Sequence, residues 1–422
     1  MMKTVVVLVA CVLGMAVARP DLHTHLYGAQ VLRVVPEEAA QVYYLKGLQL
    51  QNYFDFWTEP RAIGSPVDIM TTAFQIPLLK HTLTHVGLEF RTMISNVGEL
   101  VAQQKAAREG ARASGPLSLD WTSYYDYEEI MAWLDTLATE YPELCTVEEV
   151  GNSYEDRVMK LLKLGKGGAD KPIIFIDGGI HAREWIAPAT VTYIVNELVT
   201  HSDTYDDLLS NVNFYVMPVI NPDGYAYTFT DDRLWRKTRS PTNSVLGCRG
   251  ADPNRNWSFH WNEVGASDSP CSDIYAGPEP FSEVEMRNVR DQINKYADNI
   301  KSYLTFHSYS QLWMYPWGYT SDLPEDWQDL DDLAVAAVEA LTAVHGTTYE
   351  IGSSTNTIYA AAGGSDDWAK GEAGVKYSYT IELRDTGRYG FLLPEDQIIP
   401  TGEETFEGVK VVANFIRDTY SP

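Results

Sequence analysis

Cysteine is scarce in this chain, four in 422 residues, which rules out a small scaffold framed by disulfides. Basic residues are few as well. With 32 of them against 58 acidic ones, the formal net charge of -26 repels a phosphate backbone and excludes a nucleic-acid partner. Beyond the N-terminal leader no apolar run is long enough to cross a bilayer, so a membrane partner is excluded too. Internal repeats and low-complexity tracts are missing, which removes solenoids and disordered arrays.

What remains is globular: 45% hydrophobic and 21% charged, long enough for one large domain and a smaller one. Lys3 precedes an apolar run from Thr4 to Val17, and Ala16-Val17-Ala18 offers small residues for cleavage. Residues 1–18 therefore read as a secretory signal, and the protein as secreted and extracellular, with a digestive lumen as a fitting destination. Cys11 leaves with that signal. Of the remaining three, the near pair Cys248 and Cys271 is the natural bridge in an oxidising compartment, contributing about 3 kcal/mol. Cys145 is then a buried small hydrophobe at the end of a helix from Tyr127 to Tyr141.

Charge divides the chain. Arg19 through Arg112 holds 9 acidic and 9 basic residues, whereas Ala113 through Pro422 holds 49 and 22. The first piece alternates strand-like and helix-like segments, with short strands at Tyr53–Trp57 and Ala62–Val67 and a helix at Phe74–Leu83 led in by Val67–Thr72. This predicts a small α/β unit with an antiparallel sheet. It ends in a helix, Val97 to Arg112, followed by Ala113-Ser-Gly-Pro116. Basic residues beside a Gly/Pro linker make a site for a trypsin-like protease, with Arg112 the bond to be cut. A plain interdomain linker is the alternative, and the charge break favours the first. From Tyr125 on, strands and helices alternate as in an α/β fold with a mixed sheet covered on both faces.

The chemistry centres on HAREW, residues 181–185, after the strand Ile173–Asp177 and the pair Gly178-Gly179, which permits a sharp turn. A histidine and a carboxylate three positions apart, His181 and Glu184, can share one small cation. His307, following the strand Ser302–Phe306, supplies a third ligand. Both histidines fall at carboxyl ends of strands, where open α/β sheets bind ligands. Glu382 is a lone carboxylate in the strand Lys376–Leu383, costly there without a task or an ion pair to Arg384 or Arg388. The run Leu234-Trp-Arg-Lys-Thr-Arg239 and the segment Asp252-Pro-Asn-Arg-Asn-Trp257 concentrate cationic and amide groups in an acidic domain, a receptor for an anion.

HAREW, NPDGY, RLWRKTRS, NRNW, HSYSQ, the Thr357-Ile-Tyr359 and GGSDDW region and IELRDTGRYGFLLP resemble, in this order, the pancreatic-type zinc metallocarboxypeptidases. The resemblance covers the chain from about residue 120, and the N-terminal piece is similar to their activation segment. It implies a mixed eight-stranded-type sheet in a monomer, residues 113–422, behind an activation domain, residues 19–112. It further implies one zinc ion per chain on His181, Glu184 and His307, Glu382 as general base and Arg239 as oxyanion stabiliser. Asn254, Arg255 and Tyr359 would hold the terminal carboxylate of a peptide or protein substrate. Arg183, Tyr309 and Phe391 would line outer subsites.

Within that family the pocket-base position falls on Asp366, as in the carboxypeptidase B subgroup, which implies removal of C-terminal Lys and Arg. Gly318 and Ser354 are small and leave room for a long side chain. Two alternatives stand: release of apolar residues as in carboxypeptidase A, with Asp366 a helix cap, and a catalytically silent binder of peptide C-termini. The silent form would have lost a ligand or the base, and all are present.

Overall fold

The structure, a computed structural model, describes residues 24–112, 119–168 and 170–421. The expected leader and the linker after Arg112 lie outside the described residues. Two sheets organise the chain, a four-stranded one and an eight-stranded one.

The first unit runs β1 (Gln30–Val34), α1 (Ala39–Gln49), β2 (Asp55–Phe56), β3 (Val67–Thr71), α2 (Ile76–His85), β4 (Phe90–Ile94) and α3 (Val97–Arg112). Its sheet is antiparallel in the order β2-β3-β1-β4. Alternation along β1 sends Leu32 and Val34 into a core with Leu45 of α1 and Leu79 and Leu83 of α2. Val31 points the other way, into a second core where Trp57 meets Tyr309 and Phe391 of the larger unit. One strand thus builds its own domain and docks it.

One sequence expectation fails here. The strand expected at Ala62–Val67 gives way to β3 at Val67–Thr71, the stretch expected only to lead into a helix at Phe74–Leu83, and that helix is present as α2. Asp68 hides this strand, since an aspartate is a poor strand former. Burial becomes tolerable because Arg33 of β1 grips it from 2.6 Å and the Tyr309 hydroxyl donates to it at 2.8 Å.

The second unit continues α4 (Tyr127–Glu140), β5 (Cys145–Asn152), β6 (Val158–Leu164), β7 (Ile173–Gly178), α5 (Ile186–Thr200), α6 (Asp206–Asn211) and β8 (Asn213–Met217). Then come α7 (Pro222–Thr230), α8 (Val284–Tyr296), β9 (Ile300–Ser308), β10 (Leu312–Tyr315), α9 (Trp327–His345), β11 (Glu350–Ser353) and α10 (Ser354–Thr357). The chain closes with α11 (Ser365–Gly371), β12 (Tyr377–Leu383) and α12 (Ile398–Tyr420). Helix α4 starts at a capping box in which Asp126 accepts from the Glu129 amide and Glu129 from the Asp126 amide. Cys145 opens strand β5 instead of ending that helix. This edge strand carries Glu148 toward Lys163 and Lys295, so its polar face concealed it in the sequence.

The eight strands follow the order β11-β10-β12-β9-β7-β8-β6-β5, with β12, β9, β7 and β8 parallel at the centre. Successive residues of β7 serve opposite cores: Ile174 and Ile176 pack toward α4, α5 and α12, Ile173 and Phe175 toward α8 and α11. On the α8 side the carboxyl ends of the central strands turn polar, with Asp177, Thr305, His307, Thr380 and Glu382 buried in a row.

Candidate active site

His181 lies in the turn after β7, Glu184 just before α5, and His307 near the end of β9. Gly179 makes the turn possible at φ 61°, where a Cβ would also stand 3.0 Å from the Pro188 ring. His181 Nδ1 is 2.7 Å from Glu184 Oε1, His307 Nδ1 is 3.2 Å from Glu184 Oε2, and the two Nδ1 atoms are 3.2 Å apart. All three side chains are buried, and their ligand atoms lie within 4.8 Å of one another. Two imidazoles and a carboxylate facing one point are the donor set of a catalytic zinc site, so the residues fit the ion. Burial alone would raise the Glu184 carboxyl; the two histidines overcome it and hold the group below the ordinary carboxylate range.

Around these ligands lies a charged frame. His181 Nε2 meets Asp252 Oδ1 at 3.1 Å, and Arg236 donates to Asp252 Oδ2 from Nη2 at 2.8 Å. Arg236 also comes within 4.0 Å of Glu184. Its loop is tied to the turn after β7: Ala182 donates to the Arg236 carbonyl, and the Asn221 amide bridges the Ile180 and Lys237 carbonyls. Asp252 was not singled out from the sequence, although a histidine ligand calls for a carboxylate on its other nitrogen.

The arginine expected in this frame was Arg239, and the structure corrects that. Arg239 packs over the rings of Tyr227 and Trp235 and pairs loosely with Glu155, 3.9 Å away. Arg236, three residues earlier in the same basic run, is the one whose charge reaches Glu184, His181 and Glu382. Spacing in an irregular loop carries no periodicity to choose among four cations.

Glu382 of β12 is the register partner of His307 on β9. It forms no ion pair with Arg384, which instead grips Glu404 at 2.7 Å. Its Oε2 is buried without a hydrogen bond. Burial raises this carboxyl above its ordinary value, with His307 opposing.

Glu382 shares a cavity of about 40 Å³ with Asn254, Arg255, Tyr359, Asp366, Gly318 and Ser354. Asp366 Oδ2 accepts from the Ser354 hydroxyl at 3.2 Å, while its neighbour Asp367 accepts from the Gly318 and Tyr319 amides. Neither caps α11. Gly364 is the cap residue of that helix, and the Asn254 side-chain oxygen accepts from the Ser365 amide at 3.0 Å. Asn256, formally a glycosylation acceptor, is buried and spends its amide on Ala276, Glu279 and Ser282. Cys248 and Cys271 form the disulfide, and Cys145 is a buried free thiol pushed up to about 12 by burial.

The N-terminal unit sits on this site. Asp55 receives Arg183 at 3.1 Å, Glu59 receives Arg255 at 3.3 Å, and Trp57 packs on Phe391 and Tyr309. Nothing in the sequence distinguished Asp55 and Glu59 from solvated carboxylates. At the far end of α3, Arg112 pairs with Asp126 and Glu129.

A mixed sheet with two histidines and a glutamate gathered at the carboxyl ends of its parallel central strands, beside a buried glutamate and an arginine frame, defines a metallohydrolase of the carboxypeptidase class. The sequence profile described as zinc carboxypeptidase matches residues 130–408, and the one described as carboxypeptidase activation peptide matches residues 32–104. Carboxypeptidase B of Astacus astacus is 87% identical over 303 residues, 72% of this chain and 100% of that one. Carboxypeptidase A2 of Rattus norvegicus is 41% identical over 398 residues, 93% and 94% of the two chains. The crystal structure of the carboxypeptidase A from Helicoverpa armigera matches at a TM-score of 0.87 and 31% identity, covering 93% of this chain and 98% of that one. The chain belongs to the zinc carboxypeptidase family and carries an activation peptide. No described helix is long and apolar enough to cross a membrane.

Proposed function

We propose that this chain is the secreted zymogen of a monomeric carboxypeptidase that removes Lys and Arg from peptide C-termini. The observation that carries this is the cavity in which Asp366 stands with Asn254, Arg255, Tyr359 and Glu382. A buried carboxylate there attracts a cationic side chain, while Arg255, the free amide of Asn254 and the Tyr359 hydroxyl bind the terminal carboxylate. An internal peptide bond would bring no carboxylate to Arg255 Nη2, the buried nitrogen that Glu59 holds in the uncut chain, which restricts cleavage to the last residue. The 87% identical relative, itself a carboxypeptidase B, agrees with this preference.

Bound by His181, Glu184 and His307, zinc supplies Lewis acidity toward the scissile carbonyl and makes water a competent nucleophile near neutral pH. Glu382 takes the proton of the attacking water and delivers it to the leaving amine. Arg236 faces the negative charge that develops on the carbonyl oxygen. Arg183, Tyr309 and Phe391 support the residues upstream of the scissile bond.

Of the domain 19–112, the described residues 24–112 cover this machinery, Glu59 occupying Arg255 and Asp55 occupying Arg183 as substrate carboxylates would. A trypsin-like protease cutting after exposed Arg112 would separate this domain from residues 113–422, the leader 1–18 having left earlier. The test is release of arginine and of phenylalanine from matched blocked peptides, before and after trypsin, with zinc content measured. Preferred release of arginine after trypsin is expected. Preferred release of phenylalanine would give the pocket to apolar residues instead.

A further inference from the structure

Arg183 faces two carboxylates of different origin. Asp55 comes from the N-terminal unit, with Oδ1 3.1 Å from Nη1; Asp273 comes from the loop after Cys271, with Oδ2 3.8 Å from the same nitrogen. The guanidinium is otherwise fixed, donating to the Leu234 carbonyl and lying 4.2 Å over the Phe391 ring. Its Nε is buried without a hydrogen-bond partner. Asp273 is half exposed and borders a cavity of about 290 Å³ that also reaches Asp55, Glu59, Arg236 and Tyr359. The Cys248–Cys271 disulfide, two residues away, anchors its loop, and Lys237 donates to the Pro270 carbonyl at 2.6 Å.

We propose that Asp273 sets the charge preference of the outer subsite by competing with incoming carboxylates for Arg183. Asp55 stands where an acidic side chain of a bound peptide would reach Arg183. When the N-terminal unit leaves, it takes Asp55 with it, and Asp273 stays. An arriving glutamate then meets a guanidinium already partly neutralised and a neighbouring negative charge, while an arriving lysine gains from Asp273 what it loses to Arg183. Burial raises the Asp55 carboxyl, Arg183 opposes the rise, and Asp273 adds to it, so the same repulsion already acts on the resident carboxylate. Asp273 thereby makes the subsite tolerant of either charge and keeps the N-terminal unit's grip on Arg183 releasable.

This inference rests on the proposed peptidase activity. Its test uses the full chain after trypsin treatment and three blocked peptides ending in arginine that differ only two places before it, as Glu, Gln or Lys. Asp273→Asn is expected to raise kcat/KM for the Glu peptide about fivefold relative to the Gln peptide and to lower the Lys peptide relative to it. Asp273→Glu should restore the original ratios, and Asp273→Ser should repeat the effect of Asp273→Asn. Equal ratios across the three peptides in all four proteins would overturn the proposal. Failure of the unaltered enzyme to release arginine from the Gln peptide would overturn the proposed function, and this inference with it.

Discussion

Glu382 and His307 are register partners on adjoining parallel strands, β12 and β9, so the carboxylate and a metal ligand leave the sheet side by side. Neither depends on a mobile loop for its place. The pairing separates two jobs that substitution can distinguish. Glu382→Gln should keep one zinc per chain and lose activity by roughly 10² to 10⁴-fold, whereas His307→Ala should lose the zinc as well. Metal analysis beside single-turnover kinetics reads both, and removal of zinc by a chelator should abolish activity until zinc is restored.

Arg236 and Arg239 make opposite predictions from one short loop. Arg236 adjoins Glu184 and is held by Asp252, while Arg239 lies over Tyr227 and Trp235. Arg236→Ala should lower kcat by about 10²-fold or more, with a smaller change in KM, as loss of an oxyanion donor does. Arg239→Ala should leave kcat within about twofold. Equal losses would return the role to Arg239.

Asp366 brings into the side-chain pocket a carboxylate held there by the Ser354 hydroxyl, whereas its neighbour Asp367 is spent on the Gly318 and Tyr319 amides. Asp366→Ala should cut kcat/KM for an arginine-ended peptide by about 10²-fold and raise the relative use of phenylalanine, because a desolvated cation would have lost its counter-charge. Matched peptides measured in competition check this.

Glu59 and Arg255 predict how tightly the uncut chain is silenced. Glu59→Gln removes the charge that occupies Arg255 at 3.3 Å and should raise the residual activity of the uncut chain by about tenfold toward small peptides. The trypsin-treated enzyme, which no longer uses Glu59, should be unchanged.

Glu285 offers a pH signature in the fold. Burial pushes its carboxyl up to about 7, and its Oε2 has no hydrogen bond. The folded state therefore keeps a proton that the unfolded chain releases near pH 4.5. Below that pH both states are protonated and nothing is lost. From there to about pH 7 stability falls, and above pH 7 the penalty is constant at about 3 kcal/mol. Glu285→Gln should remove this slope, so its Tm advantage over the parent should be absent at pH 4 and largest at pH 8.

Much of this was legible in the sequence, and for definite reasons. The strand Lys376–Leu383 and the helix Val97–Arg112 follow from local pattern, and the structure has the helix with the same bounds and the strand from Tyr377 to Leu383. His181 and Glu184 are three residues apart, so one turn unites them, and His307 and Glu382 betray themselves as polar residues ending apolar strands. These are local signals, carried by chain spacing and by the cost of burying charge.

Tertiary structure alone decided which of several like residues serves the site. Only the folded loop separates Arg236 from Arg239, and only the fold shows Asp367 taken by the Gly318 and Tyr319 amides while Asp366, the residue the resemblance implied, borders the cavity. Asp55, Glu59 and Asp273 look like any other surface acids until the two units close on Arg183 and Arg255. The physical reason is range: a carboxylate acquires its meaning from the cation opposite, and here that partner lies 196 residues away for Glu59 and 128 for Asp55.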